Sequence, residues 1–191
     1  NLRKSGLIAM VLREDDELIG VALTDGSSEV LLGTHGGMAI RFPESDMRPM
    51  GRNAMGVKSI ELDDGDSVVA MSIVEEGALV LSITELGYGK RTELDEYRVQ
   101  SRGGKGIKAM NLTAKVGQLA GQLLVHDDED ILLITDDGTI IRMPVADISV
   151  LGRNTQGVRL MRVEEGCRVV CVARAEAEED VEEESSDEAG Q

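Results

Sequence analysis

The basic residues are the part of this sequence whose types and spacing could do chemistry. Three positions recur every 50 or 51 residues and hold Lys or Arg in three successive copies. They are Arg41, Arg91 and Arg142; Arg52, Arg102 and Arg153; and Lys58, Lys108 and Arg159. Lys and Arg attract DNA chiefly by neutralising phosphates and releasing counterions. A curved stripe of repeated positive charge therefore predicts contact with the backbone of bent duplex DNA.

A glycine-rich loop lies among these positions and adds to the prediction. In the second full copy it runs from Gln100 to Gly106 and contains Lys105. Because glycine tolerates positive φ, such a loop can turn backbone N–H groups towards an anion. Lys105 is followed by glycine and not by Ser or Thr, which excludes a nucleotide-binding P-loop. Lys105, and Lys90 beside Arg91, therefore join the candidate DNA contacts.

The same charges also have a structural interpretation, which stays open at this stage. The chain has 36 Asp and Glu residues against 20 Lys and Arg, so any single basic residue at a strand end has carboxylates to pair with. The repetition of sign at three positions favours DNA binding for the set as a whole. A propeller that binds only other proteins is the alternative from a different functional class, and the net negative charge favours it.

The acidic residues are concentrated at one end of the chain. Nine of them lie in residues 176–191, where no basic residue occurs. The net charge of −16 therefore becomes −7 for the body, with 27 acids against 20 bases. This segment has too few apolar residues to bury a core, which predicts a disordered acidic tail. It serves either solubility or competition with DNA for the basic positions, as a mimic of phosphate.

Catalysis within this chain is not expected. Cys167 and Cys171 form a single pair with no second pair, which is a poor zinc site and is more typical of core or half-buried thiols. His35 and His126 have no nucleophile in a recognisable arrangement beside them.

Aromatic residues make up 2% of the chain, which argues against stacking on single-stranded nucleic acid. No apolar run approaches the ~20 residues that span a bilayer, and a cytoplasmic protein is expected.

The repeat predicts the elements that position the basic residues. Gly6, Gly56, Gly106 and Gly157 recur in phase, and each copy contains short Val-, Ile- and Leu-rich runs separated by Gly and Asp turns. This pattern is typical of strands and hairpins. In the first full copy it predicts strands at 18–24, 29–33, 38–42 and 57–62, and 6–12 matches the last strand of an incomplete copy. Four strands per unit of ~50 residues predict an all-β, propeller-like fold.

The repeat also sets the domain boundaries. The partial first unit covers residues 1–16, and full units cover about 17–66, 67–117 and 118–166. A final strand follows at 167–175, and the acidic tail occupies 176–191.

The loop from Gln100 to Gly106 resembles the Gln-Arg-Arg-Gly-Gly-Lys-Gly box of the DNA gyrase A C-terminal domain, with Ser101 in place of the first Arg. The stretch from Gly87 to Thr92 and the ~50-residue repeat are similar to the same family, and the resemblance covers residues 1–175. It implies a β-pinwheel, a toroid whose neighbouring blades exchange strands. Since the essential box of the family lies in the first blade, the loop at 100–106 corresponds to a later, related one. The equivalent domain of topoisomerase IV is the nearest competing family.

The resemblance further implies a function and partners. Duplex DNA would wrap around the basic rim and support negative supercoiling by an enzyme that contains the rest of gyrase A together with gyrase B. The cofactors, ATP and magnesium, would bind to other parts of that enzyme, and none would bind here. Tyr88 and Tyr97 are interpreted as surface or blade-packing residues, because nothing around them matches the strand-cleaving tyrosine of these enzymes.

Overall fold

The computed structural model describes residues 6–177, and the secondary structure of this part is almost entirely β. The strands are β1 (Glu29–Thr34), β2 (Met38–Pro43), β3 (Val68–Ile73), β4 (Leu79–Thr84), β5 (Tyr88–Glu93), β6 (Ile107–Lys108), β7 (Leu119–Val125), β8 (Glu129–Thr135), β9 (Ile140–Pro144), β10 (Val158–Arg159) and β11 (Val169–Glu176). Three single-turn 3₁₀ helices, Glu44–Asp46, Leu94–Glu96 and Val145–Asp147, follow β2, β5 and β9. The all-β prediction is confirmed.

Each full unit contributes one tight hairpin: β1–β2, β4–β5 and β8–β9. The turns keep the phased Thr-x-x-Gly pattern for local reasons. The Oγ1 atoms of Thr34 and Thr84 each accept a hydrogen bond from the backbone four residues later, at 3.2 Å. The turn glycines have φ values of 79°, 76° and 88°, a region that residues with a Cβ rarely adopt. They are Gly37, Gly87 and Gly138.

The sheets are composite, because neighbouring units exchange strands. Their orders are β3-β1-β2-β6, β10-β5-β4-β7 and β11-β8-β9. In the first two sheets the central hairpin comes from one unit, and both outer strands come from the next unit along the chain. The outer strands pair antiparallel with the hairpin, for example β7 with β4 along six residue pairs. A sheet is therefore not made by one sequence unit, as a simple count of four strands per unit would suggest.

Three predicted strands are absent from the described residues, and composite pairing explains why. The segments 6–12, 18–24 and 57–62 are irregular. The equivalents of 18–24 in later units are β3, β7 and β11, and each pairs with a hairpin of the preceding unit. No hairpin precedes 18–24 within residues 6–177, so its apolar side chains stay exposed. Leu23 is 97% exposed and Val21 is 81% exposed.

The core is aliphatic and lies on the faces of these sheets. One cluster packs Leu81 and Ile83 of β4 against Ile131 and Leu133 of β8, so it joins the second and third sheets. Tyr88 and Tyr97 are both buried, which confirms packing over surface placement. At the other end of the chain β11 reaches Glu176, one residue into the segment predicted to be the tail. The remainder of that segment, from residue 178, lies outside the described residues.

Candidate nucleic-acid interface

The loops before the phased glycines are fixed by their own arginines. Arg102 donates from Nε to the carbonyl oxygen of Asp46 at 2.9 Å and from Nη1 to that of Lys58 at 2.8 Å. Its backbone N–H donates to the Asp46 carboxylate at 3.2 Å. The Arg102 side chain therefore joins its loop to the 3₁₀ helix Glu44–Asp46 and to Lys58, both in the preceding unit.

The next unit repeats this geometry. Arg153 donates from Nη1 to the carbonyl oxygen of Lys108 at 2.7 Å, and its backbone N–H donates to the Glu96 carboxylate at 3.0 Å. Glu96 lies on the second 3₁₀ helix, as Asp46 lies on the first. The two loops thus occupy equivalent places on successive sheets.

These bonds place one lysine of each unit beside one arginine of the next. The carbonyls of Lys58 and Lys108 hold Arg102 and Arg153, while both lysine side chains are exposed and make no ion pair within residues 6–177. Two like-charged pairs, Lys58/Arg102 and Lys108/Arg153, therefore recur on neighbouring units. This regular, partly solvated positive charge is the kind of surface that binds a phosphate backbone.

The remaining candidates on this surface differ in their partners. Arg52 is exposed and has no hydrogen-bond partner in the described part of the chain. Lys105 is also exposed, with Nζ 3.3 Å from the Asp63 carboxylate. Arg159 donates to the Tyr88 hydroxyl at 2.8 Å. We call the candidates in and beside the loops at the phased glycines the outer set: Arg52, Lys58, Arg102, Lys105, Lys108, Arg153 and Arg159.

The glycines of the loop serve packing more than anion binding. A Cβ at Gly106 would overlap the carbonyl oxygen of Ala39 in β2, and φ is 73° there. The N–H of Gly103 donates to the carbonyl of Ser59 at 2.7 Å, and the N–H of Arg102 is also bonded. The expected presentation of backbone N–H groups is therefore not available at residues 102 and 103.

The other four candidates are bonded to other parts of the fold, and two of them, Lys90 and Arg91, are buried. Arg91 is 6% exposed, donates from Nε to the carbonyl of Ile148 at 2.7 Å and pairs with Asp127. Arg41 and Arg142 are bonded across their hairpins to Glu29 and Asp130, at 2.6 and 2.7 Å. The guanidinium groups of Arg41, Arg91 and Arg142 are thus bonded within the fold, although Arg142 is exposed, and their contact with DNA stays a prediction.

Lys90 is the fourth of these residues and is fully buried. Its Nζ donates to the carbonyl oxygens of Gly152 and Arg153, at 2.7 and 2.5 Å. Burial lowers its pKa to about 8, because desolvation penalises the charged ammonium, and Glu96 offsets this only in part. Lys90 thus supports the loop that carries Arg153 and does not contact solvent. We call Arg41, Lys90, Arg91 and Arg142 the inner set.

Sequence reasoning missed two exposed arginines that recur one unit apart. Arg48 and Arg98 follow the first two 3₁₀ helices and are 50 residues apart. The signal is present in the repeat, but the third copy has Ser149 at this position. A search for charges that every unit keeps therefore does not find it.

Other chemistry finds little support in residues 6–177. Cys167 is a free, half-buried thiol, and Cys171 is free and exposed, which is more exposed than predicted. Desolvation and the neighbouring Asp137 raise the pKa of Cys167. The described residues contain no group of three or more metal-ligating side chains, and none of their helices has the length and apolar character to cross a membrane.

The sequence matches the profile of the family described as "DNA gyrase C-terminal domain, beta-propeller" over residues 1–25, 28–75, 78–121 and 129–170. The chain belongs to this family. The family resemblance and the propeller-like fold inferred from the sequence are thereby confirmed, including the strand exchange seen in the composite sheets.

Individual members of the family are also similar to this chain. The DNA gyrase A protein of Staphylococcus aureus strain MRSA252 is 47% identical over 189 residues, which is 98% of this chain and 21% of that protein. The chain thus spans about a fifth of the length of such relatives. A crystal structure of the C-terminal domain of DNA topoisomerase IV superposes with a TM-score of 0.87 and 31% identity, covering 92% of this chain and 55% of that one. A structure of the DNA gyrase A C-terminal domain gives 0.83 and 25%, covering 90% and 59%.

Proposed function

We propose that this chain binds duplex DNA along the outer set and bends it around the rim of the toroid, as the DNA-wrapping part of a gyrase A protein. The observation that carries the proposal is the recurrence of the pairs Lys58/Arg102 and Lys108/Arg153 with the same bonds on successive units. Equivalent positions on successive blades form a curved line of charge, which suits a bent backbone and not a single base step.

Membership of this family implies a larger enzyme, of which this chain would be one part. The rest of gyrase A, together with gyrase B, would cut and pass DNA, with ATP and magnesium bound there. The wrapped segment would bias strand passage towards negative supercoiling. Within this chain no residue is assigned a catalytic role. A cytoplasmic, chromosome-associated location follows from such a function.

The C-terminal domain of topoisomerase IV is a second candidate, and one observation favours it. The TM-score to that structure is 0.87, against 0.83 for the gyrase domain. The sequence identity of 47% to a gyrase A protein supports the first candidate. Ligation of a nicked circle in the presence of this chain tests DNA wrapping, because a wrap of defined hand changes the linking number of the closed product.

The binding surface is tested by reversing three charges of the outer set, in the variant Arg102→Glu/Lys105→Glu/Lys108→Glu. We expect binding of a duplex to fall below detection at about 0.1 M salt, because each lost phosphate contact reduces the salt slope by ~0.9 and three repulsive charges replace the contacts. Fluorescence anisotropy over a salt series measures both affinity and slope.

The matched control reverses three basic residues outside the outer set, in the variant Arg13→Glu/Arg168→Glu/Arg174→Glu. The change of net charge is the same, and Arg168 and Arg174 are already paired with carboxylates. Equal loss in both variants would mean that net charge alone decides affinity. Unchanged affinity in the first variant would refute the rim as the DNA-binding surface.

A further inference from the structure

A cleft of about 490 Å³ opens beside the hairpin turn of the second sheet. Its lining contains Tyr88 of β5 and three basic residues from two other segments. These are Lys115, Arg159 and Arg162, of which only Arg159 belongs to the outer set. The cleft is therefore continuous with the outer set but adds two cations to it.

The tyrosine fixes two of these cations near each other. The ring of Tyr88 has the Nζ of Lys115 5.6 Å from its centroid and the Cζ of Arg159 5.3 Å from it. Attraction between a cation and an aromatic ring holds each in place. Arg159 also donates to the Tyr88 hydroxyl at 2.8 Å. Since Tyr88 is only 7% exposed, the ring is a support beneath the charges and not a platform for a base.

The three cations are not neutralised within residues 6–177. Among these described residues, no carboxylate lies within ion-pair distance of Lys115, Arg159 or Arg162, and all three are exposed. Glu164 and Glu165 also line the cleft and are exposed to solvent. In a chain with 36 acids against 20 bases, three neighbouring cations without an acidic partner are unusual.

Comparison of the units shows that the repeat does not require this charge. The turn that contains Lys115, residues 113–117, has no carboxylate. The three equivalent turns, at 14–17, 63–66 and 164–166, are all acidic. The position of Arg162 holds Glu61 and Asn111 in the two preceding units. The cluster is thus specific to one place on the fold.

We propose that this cleft binds a phosphodiester group of duplex DNA, as an additional contact beside the outer set; the inference rests on the proposed DNA-binding function. Arginine and lysine donors converging on one open site provide charge-assisted hydrogen bonds to phosphate oxygens. The contact fixes the path of the duplex next to Arg159 without reading the base sequence.

The test replaces the two additional cations by residues that equivalent turns already contain, in the variant Lys115→Asp/Arg162→Asn. The fold accommodates Asp64 and Asn111 at the corresponding places, so the variant is expected to fold. Duplex binding over a salt series is expected to show a slope lower by about 1 and an affinity roughly tenfold lower, because one phosphate contact is lost. The control Arg13→Asp/Arg174→Asn changes net charge equally and is expected to keep the wild-type slope.

Titration with inorganic phosphate distinguishes binding of a phosphate group in DNA from binding of free phosphate. An unchanged slope and affinity in the cleft variant, with wild-type protein binding DNA, overturns this inference and leaves the proposed function standing. If wild-type protein fails to bind duplex at any salt concentration, the proposed function itself is wrong. In that case the wild-type protein could still bind inorganic phosphate, and the cleft variant could lose this binding. Such a result would assign the cleft to a free phosphate-bearing anion and overturn the proposed DNA contact.

Discussion

Residues 18–24 and β7 are the same segment of the repeat in two surroundings. Leu23 and Leu124 occupy equivalent positions, and they are 97% and 2% exposed. Both segments have the apolar pattern of a strand, yet only β7 is one, because it pairs with β4 of the preceding unit. The difference shows that the repeat encodes a strand that needs a neighbour, and that a single unit does not contain its own sheet.

The largest expected effect comes from truncating these two leucines. Leu124→Ala should destabilise the fold by about 2–5 kcal/mol, because it removes a buried side chain and leaves a cavity. Leu23→Ala should change stability by less than about 0.5 kcal/mol, since the side chain is already in water. Urea unfolding of the two variants measures the contrast. Similar losses in both would show that 18–24 is packed in solution.

A smaller effect is expected from the phased glycines. Gly56 and Gly106 both have positive φ, of 83° and 73°. A Cβ at Gly56 would meet nothing within 4 Å, whereas at Gly106 it would overlap the Ala39 carbonyl. Gly56→Ala should therefore cost only the backbone strain, about 1–2 kcal/mol. Gly106→Ala should cost more, through loss of the β2–β6 contact.

Thermal unfolding of both alanine variants compares these costs. If Gly106→Ala is no more destabilising than Gly56→Ala, the approach of the loop to β2 is looser than the structure shows. A lower melting temperature for Gly56→Ala than for Gly106→Ala would contradict the prediction that Gly106→Ala is the more destabilising substitution.

The smallest effect concerns one buried position that differs between sheets. Lys90 in the second sheet corresponds to Ile40 in the first, and both are fully buried. The folded-state pKa of Lys90, about 8, lies below its ordinary value of 10.5. Between these values the unfolded chain binds more protons, so stability should rise with pH from about 8 to 10. Burial raises the pKa of Tyr97 to about 12, and this shift acts only above pH 10.

Replacing Lys90 by the residue of the first sheet, in Lys90→Ile, should remove this rise. Chemical denaturation at several pH values between 8 and 10 measures it, with wild-type protein as the reference. Equal pH dependence in the two proteins would mean that the Lys90 ammonium stays charged, stabilised by the carbonyls of Gly152 and Arg153.

The sequence predicted the hairpins and their turns well, because Thr-x-x-Gly and alternating aliphatic runs depend on local geometry. It did not predict which unit supplies the outer strands, since the apolar pattern of β7 is the same whichever hairpin it pairs with. The sequence showed that the basic residues recur, but it did not show which of them are buried. Arg91 and Lys108 have the same recurrence, and only the carbonyls around Arg91 reveal that it is buried.

Some of that information was nonetheless present. Arg41 lies 12 residues after Glu29, and Arg142 lies 12 residues after Asp130, which places each pair across one hairpin. An opposite charge at that spacing indicates an ion pair within the fold. Arg91 has Leu79 at this spacing, so the signal identifies two members of the inner set and not all four.

Strand exchange also has a consequence for how such a chain can grow by gene duplication. A duplicated stretch of ~50 residues brings one hairpin and one pair of outer strands, whatever the point at which the copy begins. The new outer strands complete the preceding sheet, and the new hairpin receives the outer strands that follow. The number of blades can therefore change by whole steps while every internal junction keeps the same pairing, and the basic positions are copied along with it.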